Sequence, residues 1–124
     1  MSGGILGPSR GPAKRWWRVS DAEAFLPALD RLLDSVEAAT SRHARHPGRG
    51  GDPRVLAHGV VLVLGEHGVV VRDLARRLVD FPARAGDGRE VLLCRIGSEP
   101  RIGWWHEPSD GFAGRRSLAD DPPW

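Results

Sequence analysis

Cysteine, lysine and long apolar runs are all scarce in this sequence. Cys94 is the single cysteine, so an internal disulfide is excluded. The longest apolar run, residues 60–64, is far shorter than the roughly 18 residues that a membrane-spanning helix needs. The chain also does not open with a charged segment followed by a long apolar one, as a secretion signal would. We therefore expect a protein of the bacterial cytoplasm that does not enter the membrane.

Arginine carries almost all of the positive charge, because Lys14 is the only lysine. The 18 basic and 16 acidic residues leave a formal net charge of +2. The arginines are spread from Arg10 to Arg116 among acidic residues instead of forming a stripe, and no helix-turn-helix, zinc-finger or RNA-binding aromatic motif is present. This pattern argues against nucleic acid as a partner.

A length of 124 residues fits one domain, which at this size buries roughly two-thirds of its unfolded surface. Residues 1–14 mix glycine, proline and isolated charges without apolar periodicity, which is typical of a flexible tail. Residues 119–124 end in Pro-Pro-Trp and are predicted to be mobile. The folded domain is therefore expected over residues 15–118.

A first helix is predicted at about residues 21–45. Ser20 followed by Glu23 matches a capping box, in which two side chains satisfy the free amides at a helix start. Apolar residues then recur at spacings of three and four over residues 22–39, which gives one apolar face. This face needs a packing partner within the domain.

A second helix is predicted at about residues 53–67. Asp52 before Pro53 is a favourable N-cap and first-turn pair. The valine-rich residues 55–64 are equally compatible with a buried strand, and that alternative stays open. A helix would pair antiparallel with the first one.

The remaining chain has the character of β-structure. Short β-branched and aromatic runs alternate with glycine-rich turns at hairpin spacing. The strands are expected at about residues 69–72, 78–84, 89–96 and 101–106. The fold class is therefore α+β, an antiparallel helical hairpin packed on a small antiparallel β-sheet of three to four strands.

The strand register follows from the turn lengths. Four-residue turns would pair Arg84 with Arg89 and Ile96 with Arg101. One sheet face, directed at the helices, would then collect Val79, Phe81, Leu92, Cys94, Ile96 and Trp105. The other face would collect Leu78, Asp80, Val91, Leu93, Arg95, Ile102, Trp104 and His106.

Three expectations depend on this register. Asp80 and Arg95 become diagonal neighbours, for which a cross-strand ion pair is favoured over catalysis. His106 lies two strands from Asp80, so no carboxylate–histidine dyad forms. Cys94 points into the core, where a cysteine is usually an inert small hydrophobic residue.

The candidate ligand site lies around the end of the last predicted strand. A histidine beside carboxylates can hold a divalent metal ion, and an arginine can bind a carboxylate or phosphate. The candidate metal ligands are His106, Glu107 and Asp110, although their spacing matches no established motif, and His106 can instead be a structural hydrogen-bonding residue. The full set of candidate ligand-binding residues is Asp80, Arg95, Trp104, His106, Glu107, Asp110 and Arg115.

Residues 19–33 and 78–118 resemble the bacterial domain-of-unknown-function family 2203. The distinctive pieces are Asp-Phe-Pro-Ala at residues 80–83, Cys94 in the middle strand, Trp-His-Glu at residues 105–107 and Gly-Phe-Ala-Gly-Arg at residues 111–115. The resemblance implies a helical hairpin joined to a small antiparallel sheet, and it implies no activity. The chain differs from the family pattern at Arg95, where a tryptophan is usual, at Arg77, where a glycine is usual, and in a shorter second helix.

Two functions from different classes remain. The favoured one is a protein that binds a small molecule, an anion or a metal ion near residues 105–107 and 111–115. The alternative is a non-enzymatic homo-oligomeric interaction module, for example a homodimer formed through an apolar stripe that the short second helix leaves uncovered. Neither identifies a reaction, a substrate or a cofactor.

Overall fold

The computed structural model describes residues 15–124, so the tail predicted at residues 1–14 lies outside the described residues. The fold is α+β, with two helices and one five-stranded sheet, instead of the three to four strands expected. The elements in chain order are α1 Val19–Arg45, α2 Pro53–Glu66, β1 Val70–Asp73, β2 Leu78–Arg84, β3 Glu90–Arg95, β4 Trp104–His106 and β5 Arg116–Ser117. The strands follow one another in the sheet in chain order, and every neighbouring pair is antiparallel.

The start of α1 differs from the predicted capping box. The helix begins at Val19, and its N-cap Arg18 has an extended backbone and no side-chain cap. Glu23 instead accepts a hydrogen bond from the backbone amide of Ile102 at 3.0 Å. Glu23 thus links α1 to the loop before β4 and does not cap its own helix.

Residues 53–66 form a helix, which settles the helix-or-strand alternative. Asp52 is its N-cap, and its Oδ1 accepts a hydrogen bond from the backbone amide of Arg54 at 2.9 Å. Val60 and Leu64 are buried against the rest of the domain. Neither α1 nor α2 has the length and apolar character that a membrane crossing needs.

The main core lies between the helices and one face of the sheet, here called the inner face. Leu29 and Leu33 of α1 pack with Val79, Phe81 and Trp105 of the sheet. Trp17, just before α1, packs edge-on against Phe81, and its backbone amide donates to the carbonyl oxygen of Pro82. The helix hairpin therefore covers the inner face of the five-stranded sheet.

The register of β3 is one residue away from the prediction. The turn after β2 has five residues, so Arg84 pairs with Glu90 and not with Arg89. On the other side Leu93 pairs with Trp105, so Ile96 does not pair with Arg101. A one-residue slip turns every side chain of a strand to the opposite face. Val91, Leu93 and Arg95 consequently lie on the inner face, whereas Leu92 and Cys94 lie on the outer face.

The outer face is covered by the chain after β4. Leu78, Leu92 and Cys94 are buried but do not belong to the helix-side core. Residues 108–112 border the same cavity as Leu78, and the chain then makes a short 3-10 turn, Phe112–Gly114, before β5.

The C-terminal residues 119–124, for which the sequence predicts mobility, are hydrogen-bonded to the sheet and to the turn after β2. The indole of Trp105 donates to the backbone oxygen of Asp121 at 2.7 Å. The amide of Gly86 donates to the backbone oxygen of Pro123 at 3.1 Å.

Candidate functional site

Three chemically versatile side chains meet on the outer face. Asp80 of β2, Cys94 of β3 and His106 of β4 are 1%, 0% and 3% exposed. One oxygen, the sulfur and one ring nitrogen of these residues all lie within 4.8 Å of one another. The slip of β3 produces this group, because it moves Cys94 from the inner face to a position opposite Asp80.

Asp80 and His106 form the pair that the predicted register excluded. His106 Nε2 lies 3.0 Å from Asp80 Oδ1 across the middle strand. His106 Nδ1 donates to the backbone oxygen of Glu107 at 2.8 Å. Arg72 donates from Nε to the second oxygen of Asp80 at 2.8 Å. The predicted Asp80–Arg95 ion pair is wrong, because Arg95 points to the other side of the sheet.

Cys94 is a neutral thiol in this environment. Burial, and then the negative charge of Asp80, raise the pKa of the Cys94 thiol to about 12. A thiol that stays protonated at neutral pH is a poor nucleophile. The prediction that Cys94 faces the helices is wrong, and its surroundings are polar on the side of Asp80 and His106.

A cavity of about 360 Å³ opens beside this group. Asp80 and His106 form part of its wall, and the half-exposed Arg72 forms another part. The remaining lining residues that matter here are Leu78, Asp110 and Phe112. Asp110 was a predicted metal ligand, and the structure places it on the same cavity as His106.

Gly114 allows the turn at this cavity to be tight. A Cβ at position 114 would lie 2.5 Å from the Cβ of Asp110, closer than two non-bonded carbon atoms can approach. The absence of a side chain at Gly114 therefore leaves the space that Asp110 occupies on the cavity wall.

Arg115 lies next to the group but is held by other partners. Its Nη2 donates to both carboxylate oxygens of Glu99 at 3.0 Å, and its guanidinium lies over the ring of Trp104. Among the described residues, its buried Nε atom has no hydrogen-bond partner. Trp104 and Arg115, both predicted ligand-binding residues, therefore stack on each other at one edge of the outer face.

Two other predicted candidates are separated from the site. Arg95 lies on the inner face and bonds both oxygens of Asp30 in α1. Glu107 receives two hydrogen bonds from Arg89, which hold the pKa of its carboxyl below the usual range. Glu107 contributes its backbone oxygen to the site and not its side chain.

Sequence reasoning missed Cys94 and Arg72 as site residues. Cys94 was assigned to the inner face because both faces of β3 are apolar and give no alternation. Arg72 lies where the pairing of β1 with β2 shifts by a residue, between the Val71 and Asp73 pairs. A bulge of this kind redirects a side chain and leaves no signal in a period-two pattern.

A larger cavity of about 490 Å³ lies between the two helices and the turn after β1. Its wall is mostly aliphatic, with Leu33, Val36 and Leu74 among its residues, and it includes no histidine or cysteine. This cavity is larger than the one beside His106, but the chemistry favours the smaller one.

The fold and the site together define a class: a small α+β domain with a helical hairpin on one sheet face and a buried Asp–Cys–His group on the other. The family model for uncharacterized conserved proteins, DUF2203, matches residues 55–118. The chain belongs to this family, which confirms the resemblance found in the sequence. The match spans α2 from residue 55 onward, all five strands and the three grouped residues. No curated protein and no solved structure matches the chain.

Proposed function

We propose that this domain binds a divalent transition-metal ion, of which Zn²⁺ fits the donors best, through Asp80, Cys94 and His106. The bound ion would face the cavity of about 360 Å³, from which a water or a small molecule could take the remaining coordination position. The proposal keeps His106 from the predicted ligand set and replaces Glu107 and Asp110 with Asp80 and Cys94.

The observation that carries the proposal is the orientation of the His106 ring. A carbonyl oxygen only accepts hydrogen bonds, so the contact with the Glu107 oxygen places a hydrogen on Nδ1. A neutral imidazole then has its lone pair on Nε2, which lies 3.0 Å from an oxygen of Asp80. Two lone pairs at this distance repel each other unless a cation lies between them. That cation is a proton or a metal ion, and Cys94 supplies a third donor beside them.

The donor set matches the chemistry of zinc. Zn²⁺ is bound in proteins by thiolate, imidazole and carboxylate at roughly 2.0–2.3 Å, and sites with three protein ligands keep an open position. Side chains that touch the ligands also fit, since metal-binding histidines usually donate their other N–H to a carbonyl or carboxylate. His106 does so to Glu107, and Arg72 holds the free oxygen of Asp80.

The raised pKa of Cys94 is compatible with this role. Burial and Asp80 disfavour the thiolate when no other cation is near. A bound dication reverses that balance, because a coordinating thiol loses its proton. The bound ion would thus balance the Asp80 carboxylate and the thiolate that Cys94 forms on binding.

The test is metal binding by the full chain after removal of metals with a chelator. Zn²⁺ titration followed by calorimetry should give one site per chain. Co²⁺ should produce a thiolate-to-cobalt charge-transfer absorption band, which reports coordination by Cys94. Asp80→Asn, Cys94→Ser and His106→Gln should each weaken binding by more than the roughly 10- to 100-fold expected for Arg72→Ala, whose side chain only supports a ligand.

Matched controls separate this site from surface histidines and from the other candidate ligands. Glu107→Gln and the double variant His43→Gln/His46→Gln should leave the affinity unchanged. Binding that survives Cys94→Ser but is lost with the His43 and His46 variant would contradict the proposal. Absence of stoichiometric binding would do so as well, and would leave Asp80 and His106 as a structural ion pair.

A further inference from the structure

The outward side of α2 is unusually apolar for a surface helix. Of the seven large hydrophobic residues that are exposed in the described chain, four lie on this one helix. They are Val55 at 71%, Leu56 at 40%, Leu62 at 55% and Val63 at 41% exposure. No charged residue occurs between positions 55 and 65. A helix that is apolar on all sides normally has all sides covered.

We infer that this side of α2 packs against the same side of α2 in a second copy of the chain, in an antiparallel helix pair. The proposal is independent of the metal site. The helices lie on the inner face of the sheet and the Asp–Cys–His group on the outer face, so the association leaves the cavity beside His106 open.

Charge at the two ends of α2 favours a second copy and the antiparallel direction. The apolar segment is bounded by Arg54 at one end and Glu66 at the other. Both residues are exposed, and Arg54 also forms an ion pair with Asp52 of its own chain at 2.9 Å. In a two-fold symmetric pair, a patch meets an identical patch in the opposite direction. Arg54 of each copy then lies near Glu66 of the other copy, whereas a parallel pair would bring like charges together.

Gly59, near the middle of α2, favours close contact between the two helices. An added Cβ there would have no atom of the described chain within 4 Å, so the space outside Gly59 is open. A glycine inside a helix is less favourable than an alanine. Its value at this point is that a neighbouring helix can approach closely where no side chain intervenes.

The remaining part of the chain offers little to cover this surface. Residues 1–14 contain only Met1, Ile5 and Leu6 as large apolar residues, among glycines, prolines and charges.

A helix of 14 residues is about 21 Å long, so the contact between two such helices is small for a permanent dimer. The dimer should therefore be reversible and depend on concentration.

The test is sedimentation velocity of the full chain over a wide concentration range. The expected result is a monomer–dimer equilibrium. Leu62→Glu should weaken it roughly ten- to hundredfold, because a half-exposed leucine would be buried in the dimer. Ala38→Glu, on the exposed side of α1, should leave it unchanged.

A charge exchange tests the direction. Arg54→Glu alone and Glu66→Arg alone should each weaken the dimer, and the double variant Arg54→Glu/Glu66→Arg should restore it. A dimer insensitive to all three variants would overturn the antiparallel pair. A chain that stays monomeric at the highest concentration, but associates when Ile5 and Leu6 are changed to serine, would show that its own N-terminal segment covers α2 and would overturn the proposal.

Discussion

Arg95 of β3 and Asp30 of α1 form a two-pronged ion pair across 65 positions of sequence, with bonds of 2.7 Å and 2.9 Å. Arg95 is only 1% exposed, and its Nε donates to the backbone oxygen of Glu99 at 2.9 Å. A buried guanidinium that loses its carboxylate is left without compensation for its lost hydration. This pair therefore joins the helix layer to the sheet, and removal of either partner should destabilise the fold.

Asp30→Ala should lower the free energy of unfolding by about 3 kcal/mol, because Arg95 stays buried and unpaired. Asp34→Ala is the matched control, since Asp34 is an exposed residue of the same helix and pairs with Arg77 at 2.7 Å. Such exposed pairs contribute about 0–1 kcal/mol. Urea denaturation of both variants measures the difference, and equal losses would mean that the burial of Arg95 has no energetic consequence.

Acid should weaken the contact between β4 and the turn after β2. Hydrogen bonds from Arg89 hold the pKa of Glu107 below its usual value of 4.5. A carboxyl whose pKa is lower in the folded state stabilises the fold above the unfolded value, and this contribution is lost as the pH falls through the folded value. Glu107→Gln should thus lower the melting temperature at pH 7, and the difference from the natural chain should shrink below pH 4.5.

The control for this acid effect is Asp120→Asn, because the Asp120 carboxylate makes no ion pair within residues 15–124. Thermal denaturation at several pH values provides the comparison. A Glu107→Gln difference that is the same at pH 7 and at acid pH would exclude a stabilising role of the charged pair.

Arg77 occupies the position where the family pattern usually has glycine, and it is the one non-glycine residue of the described chain with positive φ, at 52°. A side chain in this left-handed region costs roughly 1–2 kcal/mol. The ion pair with Asp34 and the nearby Asp30 and Glu37 carboxylates offset part of that cost. Both Arg77→Ala and Arg77→Gly remove these ion pairs. The alanine variant keeps the backbone strain, whereas the glycine variant relieves it.

We therefore expect the glycine variant at position 77 to be more stable than the alanine variant by about 1 kcal/mol. Position 76 is the control, because Arg76 has no positive φ. There the order should reverse, with alanine more stable than glycine. Chemical denaturation of the four variants measures their free energies of unfolding. If the alanine variant is more stable than the glycine variant at both positions, the backbone at Arg77 is not strained.

Gly114→Ala should destabilise the domain by about 1–3 kcal/mol, the usual cost of forcing a methyl group into a filled position. The methyl group would have to displace Asp110, whose Cβ is 2.5 Å from the added atom. Gly103→Ala should cost much less, since nothing lies within 4 Å of a Cβ there. Melting temperatures compare the two, and similar small losses would show that residues 110–114 adapt without cost.

The element types were predictable because their signals are local. Asp52 and Pro53 located the start of α2, and the β2 bounds of Leu78–Arg84 agree with the predicted residues 78–84. The short β5 was missed because two residues carry no periodic pattern. It becomes a strand only because β4 presents a free edge to it.

The site was not predictable because it depends on one residue of register. Four of the six residues of β3 lie in an apolar run, residues 91–94, so either register buries a plausible set of side chains. The turn length decides between them, and Gly88 with a φ of 89° permits the five-residue form. The slip inverted β3 and left β2 and residues 104–106 of β4 on their predicted faces, which is why Asp80 and His106 were assigned to the correct face and Cys94 was not. Ile102, predicted on the outer face, precedes β4 and lies in the helix-side core.

The order of the strands also has a consequence for how the chain folds. Every strand pairs only with its neighbours in sequence, so the sheet can grow by successive hairpins whose ends are close together from the start. The two helices can likewise form their own hairpin. The bond between Asp30 and Arg95 requires these two parts to have come together, so we expect it to form in the last stage of assembly. Loss of that bond should accelerate unfolding while leaving the rate of folding nearly unchanged.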